Sequence, residues 1–384
     1  MRKAVVDMRI AWSLQGAAAV VYLLSSIGSV LPLEDLESMR PLNGVFRSGN
    51  LALAVFFAAF GYLLAVRLRA ARSISLVEML VAWVRVVLPV VVAMLLVTVA
   101  VLAVTRYDDT DTASDEVTRT SLLHAWSFVQ NQWILDHLLL VRSDVSSLWI
   151  VSLMVQYALV LGVVVALLGR RRWTGPTVAV LAAGCVVASI AWRAHVLSTE
   201  GWVQAALDSL GRCDAFAMGV LAACLVGVPA VGREVAGQIV GAATTILLAG
   251  LIATSFVDID GIFTVVLPLG AALTALSLWA SGADPDPRGL ATQALLRPEV
   301  VATGGIAAPL LVWAPFVAAT ATRHEGTYPA TMVAVLVAVA SLAAAGATWW
   351  LLARGPGWLR QQWSARQADL TSADGDAISG DRPN

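Results

Sequence analysis

The sequence predicts an all-α, polytopic membrane protein of about ten transmembrane helices, with both termini cytoplasmic. Three observations carry that expectation. Hydrophobic residues make up 59% of the 384 positions and charged residues only 13%, against roughly 25% charged in an average soluble domain. Apolar runs of about 20 residues, the length that crosses a bilayer, recur along the chain, and mean hydropathy is +0.79. Basic residues gather in alternate short loops, which sets the orientation by the positive-inside bias.

The spans are expected at about 10–31, 47–66, 77–105, 147–169, 176–194, 213–231, 236–256, 262–280, 300–321 and 329–353. The first run is longer than the apolar part of a signal peptide and is followed by no clear small-x-small cleavage site, so it is read as a retained span. Arg2, Lys3 and Arg9 precede it; Arg67, Arg69 and Arg72 separate spans 2 and 3; Arg170, Arg171 and Arg172 follow span 4. Arg233, Arg288, Arg297, Arg354, Arg360 and Arg366 continue the series on the same side. The opposite side is acidic or mixed. Asp108, Asp109, Asp111, Asp115 and Glu116 follow span 3 as a solvated run, with no glycine and distal glutamate to make an EF-hand loop. Segment 121–146 is too polar to span and too apolar for disorder. Trp126 and Trp133, seven apart, share a helical face there, so an outer interfacial or re-entrant helix is expected. Residues 1–356 therefore form one ten-span domain, and 357–384 a cytoplasmic tail, disordered from about 367 by its Asp/Ser/Gly-rich composition.

Several function classes drop out. No basic stripe or nucleic-acid motif is present, so no nucleic-acid partner is expected. Cys185, Cys213 and Cys224 form no CxxC pair, and His124, His137, His195 and His324 have no metal-ligand spacing, so no metal is expected. The polar residues within or beside the spans are the informative ones. Arg212 and Asp214 open span 6 two positions apart, so they point to different faces and each needs a partner elsewhere. Trp149, Ser152 and Gln156 lie at i, i+3 and i+7 and line one face of span 4, where a polar stripe binds a ligand or holds helices together.

Five stretches in order along the chain resemble the integral-membrane acyltransferases of family 3. They are Phe56-Phe57-Ala58-Ala59-Phe60-Gly61-Tyr62 in span 2; the basic hairpin with Arg67, Arg69, Arg72, Arg85 and Pro89; and Ser147-Leu148-Trp149 through Gln156-Tyr157. Then come Arg212-x-Asp214-x-Phe216-x-x-Gly219 and Gly304-Gly305 through Trp313-Ala314-Pro315. The resemblance covers about residues 7–320. It implies a ten-span protein of the bacterial plasma membrane that acylates a cell-envelope glycan or glycolipid, with acyl-coenzyme A as donor. It implies substrate binding by Trp149, Ser152, Gln156, Arg212, Asp214 and Trp313, and binding of the donor's phosphates by Arg67, Arg69, Arg72 and Arg85, whose forks suit phosphate geometry.

The departures from the family pattern bear on catalysis. Acyl transfer to a hydroxyl needs a proton acceptor, and the family's span-1 histidine has no counterpart: the sequence there reads Ala19-Val20-Val21-Tyr22-Leu23-Leu24. The late Trp-His is Trp313-Ala314, and the acidic residue beside the span-4 glutamine is Met154 or Val155. Remaining catalytic candidates are His124 and His137 on the outer segment, with Asp136 and His195 on the same side. The alternative reading is a non-catalytic relative that binds lipid or scaffolds a membrane-protein partner in envelope biosynthesis. A transporter ranks third, because Pro268, Pro309 and Pro315 interrupt only late spans rather than two related halves.

Overall fold

The computed structural model describes residues 8–71, 75–108, 111, 113–137, 140–169, 174–226, 232–282, 289–324 and 326–353. Arg72, Asp109, Arg170–Arg172 and the tail 357–384 lie outside the described residues. Helices carry the architecture, and no strand is present among the described residues. We number the principal helices α1 (Arg9–Gly28), α2 (Gly49–Ala71), α3 (Leu76–Tyr107), α4 (Trp149–Leu168) and α5 (Thr174–Thr199). They continue as α6 (Cys213–Leu225), α7 (Arg233–Ala253), α8 (Ile259–Ser281), α9 (Pro298–Thr322) and α10 (Ala330–Ala353).

Nine of these, among the described residues, are long and apolar enough to cross a membrane. The expected full-length span over 213–231 is the exception. Here α6 has 13 residues, and residues 227–231 lie outside the described set. The short helix still runs much of the depth of its neighbour. Arg212 at its head hydrogen-bonds Asn50 near the start of α2, and Ala223 near its tail accepts from Arg69 near the end of α2. Chain direction alternates from α1 to α10. Trp12, Gly304, Gly305 and Trp349 meet at one level, so both ends of the described chain lie on one side of the bundle.

The bundle is organised around α2, which packs against α1, α3, α4, α6 and α8. Its window is the most buried of all the spans, because small residues intersperse Phe56, Phe57 and Phe60 and the side chains from Leu51 to Ala65 pack against other helices. In a bilayer, close packing rather than water exclusion holds helices together, and small residues set how near they come. Gly219 of α6 lies against the Ala58 carbonyl of α2, and Gly61 of α2 against the Phe216 carbonyl of α6; a methyl group at either position would meet backbone. Helices α1 and α9 cross as tightly, through Gly16 and Gly304. The peripheral helices instead present leucine and valine outward, as Val99 and Leu102 on α3 and Val180 and Val187 on α5 do.

Two local breaks position functional side chains. Pro268 lacks an N–H and its ring crowds the preceding turn, and the turn before it, Ile262–Val266, widens into a π-helix within α8. The other break corrects the single interfacial helix expected over 121–146. The chain forms separate helices Asp115–Trp126, Gln130–Asp136 and Ser143–Ser146. Phe128 stands between the first two with φ 56°, a left-handed conformation that ends a helix. Trp126 and Trp133 therefore do not share a face. Trp126 donates to Thr98 Oγ1 (3.1 Å), and Trp133 stacks with two histidines.

Candidate functional site

The site is built around Arg212, the residue that caps α6. Its side chain is only 4% exposed. Nε donates to the Ala206 carbonyl (2.9 Å) and Nη2 to Asn50 Oδ1. The guanidinium lies over two rings, Trp149 of α4 at 5.7 Å and Phe263 of α8 at 5.2 Å. Phe263 sits in the π-turn, so that backbone irregularity is what aims its ring at the arginine. Tyr22 of α1 is close enough for its phenol to couple electrostatically to the same charge. Residues of five membrane helices thus gather around one buried charge.

No carboxylate among the described residues forms an ion pair with Arg212. Asp214, two positions on, points away and is committed to Arg193 of α5 through two hydrogen bonds (2.8 and 2.9 Å). Arg193 also donates to the Gly211 carbonyl (2.8 Å), and the Asp214 amide donates to Ser189 Oγ (3.1 Å). That pair is self-contained. In direct contact the charge of Arg212 meets an amide oxygen, a carbonyl and two ring faces, with the Asp214 carboxylate acting on it only from a distance; a buried charge without a paired counterion costs several kcal/mol, of which ring contacts return about 0.5–2 kcal/mol each.

The polar stripe of α4 divides its tasks. Trp149 faces Arg212. Ser152 Oγ accepts from the Gln130 amide (3.2 Å). Gln156 donates through Nε2 to the Phe128 carbonyl (2.7 Å) and Asn131 Oδ1 (3.1 Å), and accepts from Ser209 Oγ (2.7 Å). Asn131 Nδ2 in turn donates to Ser209 Oγ and the Leu207 carbonyl. Every polar atom of the Gln156 amide is used, so it latches the left-handed turn at Phe128 onto α4. Trp313 donates to Thr348 Oγ1 of α10 (3.0 Å) and packs edge-on against Phe316, a helix-to-helix contact away from Arg212.

The two outer histidines stack with one indole. The His124 ring stacks with Trp133 at 4.4 Å and the His137 ring with the same indole at 5.1 Å, both near parallel. Each Nδ1 lies within hydrogen-bond distance of a carbonyl four residues back, Thr120 or Trp133. On the inner side, the Arg67 guanidinium covers the Trp12 ring at 5.4 Å. Arg69 donates to the Ala223 carbonyl (3.2 Å), and Arg85 is exposed within electrostatic range of Arg67.

A second ionic assembly closes the outer end. Arg142 uses both edges of its fork on Asp144 (2.8 and 3.0 Å) and reaches Asp111 (2.8 Å), Thr105 and Thr118 (2.9 Å each). Arg323, after α9, joins through Asp144 and Asp111, and His324 approaches Asp108 at 3.7 Å. Burial pushes the Asp111 carboxyl up, but the Ala113 amide and the guanidiniums of Arg142 and Arg323 outweigh it and hold the group below its ordinary value. Burial likewise works against the Arg142 charge, and its two carboxylates overcome it and raise its pKa. Two of the five acidic residues read as a solvated run, Asp108 and Asp111, are thus structural. Among the described residues no group of three or more His, Cys, Asp or Glu could hold a metal.

Sequence reasoning passed over Arg193, Arg142, Asn50 and Phe263. An arginine deep in an apolar run is itself a flag, which could have found Arg193. Nothing local marks Phe263 or Asn50.

The fold defines the class: an all-α, multi-pass membrane protein with a buried guanidinium, Arg212, enclosed by membrane helices. No protein-family model, no curated protein and no solved structure matches the chain.

Proposed function

We propose that the protein is a plasma-membrane relative of the family-3 acyltransferases that binds an envelope lipid or glycolipid in the Arg212 chamber without transferring an acyl group. The observation that carries this reading is the make-up of the chamber. It offers a buried guanidinium, an amide and aromatic walls, and no His, Asp or Glu hydrogen-bonds Arg212 among the described residues. Binding needs those groups; acyl transfer also needs a proton acceptor, whose loss typically costs about 10²- to 10⁴-fold in rate. His124 and His137 are engaged elsewhere, against Trp133.

Catalysis is the second reading, favoured by one observation. Tyr22, near the position of the family's histidine, lies close to Gly49 beside Asn50, where its hydroxyl could donate to the oxyanion of an acyl transfer. Arg67, Arg69, Arg72 and Arg85 would then hold acyl-coenzyme A from the inner side.

The test is mass spectrometry of lipids carried by the purified protein, with acyl-coenzyme A turnover measured in parallel. Loss of a co-purifying envelope lipid on Arg212→Ala, with no turnover in the wild type, is the expected result. Turnover abolished by Tyr22→Phe and weakened by Arg67→Ala would establish the second reading instead. Absence of any retained lipid would overturn the first.

A further inference from the structure

The guanidinium of Arg212 has five N–H donors, and two are occupied, by Ala206 and Asn50. Three remain. The Tyr22 hydroxyl, in electrostatic range of that charge, hydrogen-bonds nothing among the described residues. The N-terminal end of the α6 dipole points the same way, and α6 is long enough for that dipole to favour an anion. Arg193 and Arg212 are both buried, while Asp214 neutralises only the first. The chamber therefore lacks one negative charge, and it presents donors without acceptors to receive it.

We infer that Arg212 binds the phosphate of a lipid headgroup, with the Tyr22 hydroxyl as a further donor and Trp149 and Phe263 excluding water. The inference rests on the binding reading above and names its ligand. A lipid phosphate diester pairs with an arginine fork through its two non-bridging oxygens, and it is the anion that membrane lipids carry at headgroup level; the palmitate arm below separates it from a carboxylate. A lipid rather than free phosphate follows from the surroundings. An apolar groove of about 100 Å³ between α1, α2 and α7 is lined by Val21, Leu51 and Leu247, and two of these adjoin Tyr22 and Asn50 in sequence. We place an acyl chain along this groove with its headgroup toward Arg212.

The full-length protein, delipidated in detergent, is titrated by native mass spectrometry with phosphatidylglycerol, with diacylglycerol of the same chains, with palmitate and with inorganic phosphate. Phosphatidylglycerol is expected to bind tightest and to weaken about 10- to 100-fold in Arg212→Met, the size of one or two charge-assisted hydrogen bonds. Arg212→Lys should retain part of the affinity, and Tyr22→Phe should lose a smaller share. Inorganic phosphate should compete at high concentration. Diacylglycerol binding as well as phosphatidylglycerol would sink the phosphate assignment while leaving lipid binding intact. Arg212-dependent palmitate binding tighter than that of phosphatidylglycerol would move the site to carboxylates. Phosphate bound without any lipid would end the lipid source and the binding reading together. If Arg212→Met does not fold, the comparison of phosphatidylglycerol with diacylglycerol on the wild type still decides the question.

Discussion

Replacing Asp214 by asparagine tests the charge arrangement around α6 directly. Asp214 and Arg193 are each 2% exposed, and they share two short hydrogen bonds (2.8 and 2.9 Å). Asparagine keeps the shape and removes the charge, leaving the Arg193 guanidinium buried without a counterion and within electrostatic range of Arg212. Breaking a buried pair from one side costs about 3–5 kcal/mol. Removing both charges is different, because a well-packed apolar pair in place of a buried ion pair is often neutral or stabilising. Arg193→Met with Asp214→Leu should therefore lie within about 1 kcal/mol of the wild type, while Arg193→Met and Asp214→Leu alone should each cost about 3–5 kcal/mol, giving a coupling energy of at least about 2 kcal/mol in their double-mutant cycle. Unfolding of the purified protein by SDS in mixed micelles, followed by circular dichroism, measures all four corners. An Asp214→Asn cost below about 1 kcal/mol, or a double variant worse than the two single ones summed, would refute the claim that this pair is self-contained and that Arg212 alone carries the unbalanced charge.

Other expectations follow from the same geometry. Gly219→Val places a side chain against the Ala58 carbonyl and should cost about 1–3 kcal/mol or more by overpacking, lowering the melting temperature; an unchanged melt would mean α2 and α6 do not approach this closely. Trp313→Phe removes the bond to Thr348 and should cost about 0.5–1.5 kcal/mol with lipid retention unchanged, whereas lost retention would place Trp313 at the ligand. Gln156→Leu leaves the Phe128 carbonyl, Asn131 and Ser209 without a shared partner and should speed proteolysis around 127–131 before global unfolding. The Asp111 carboxyl is held low, so its contribution is complete above the unfolded value of about 3.9 and is lost only as acid carries it through the lower folded value. Arg142 stays charged throughout. The protection of outer-end amides, taken relative to the intrinsic exchange rate at each pH, should thus be constant from about pH 7 to 5 and fall below about pH 4; lost protection already at pH 6 would show that some other group controls it.

How far the sequence could be read depended on whether a property is local. Each long span was visible because about 20 apolar residues leave a bilayer-crossing helix little alternative, and the helices start and end within a few residues of the expected positions. Short α6 was not, because the apolar residues after Leu225 continue the pattern beyond the described helix. The common face of Trp149, Ser152 and Gln156 followed from helical period, but period says nothing of the neighbours, and the three meet Arg212, Gln130 and Asn131 respectively. The break at Phe128 carried no Gly or Pro to announce it.

The amino-acid sequence by itself determined that this chain enters a membrane as a series of helices, since hydropathy is a sum over neighbours along the chain. Only the tertiary structure decided that Asp214 belongs to Arg193, that Arg212 faces two rings instead of a carboxylate, and that Trp313 ties two helices together. Those outcomes depend on how each helix is rotated and how closely it packs, and a rotation of one residue's angle, about 100°, exchanges the partner of every polar side chain while leaving the hydropathy untouched.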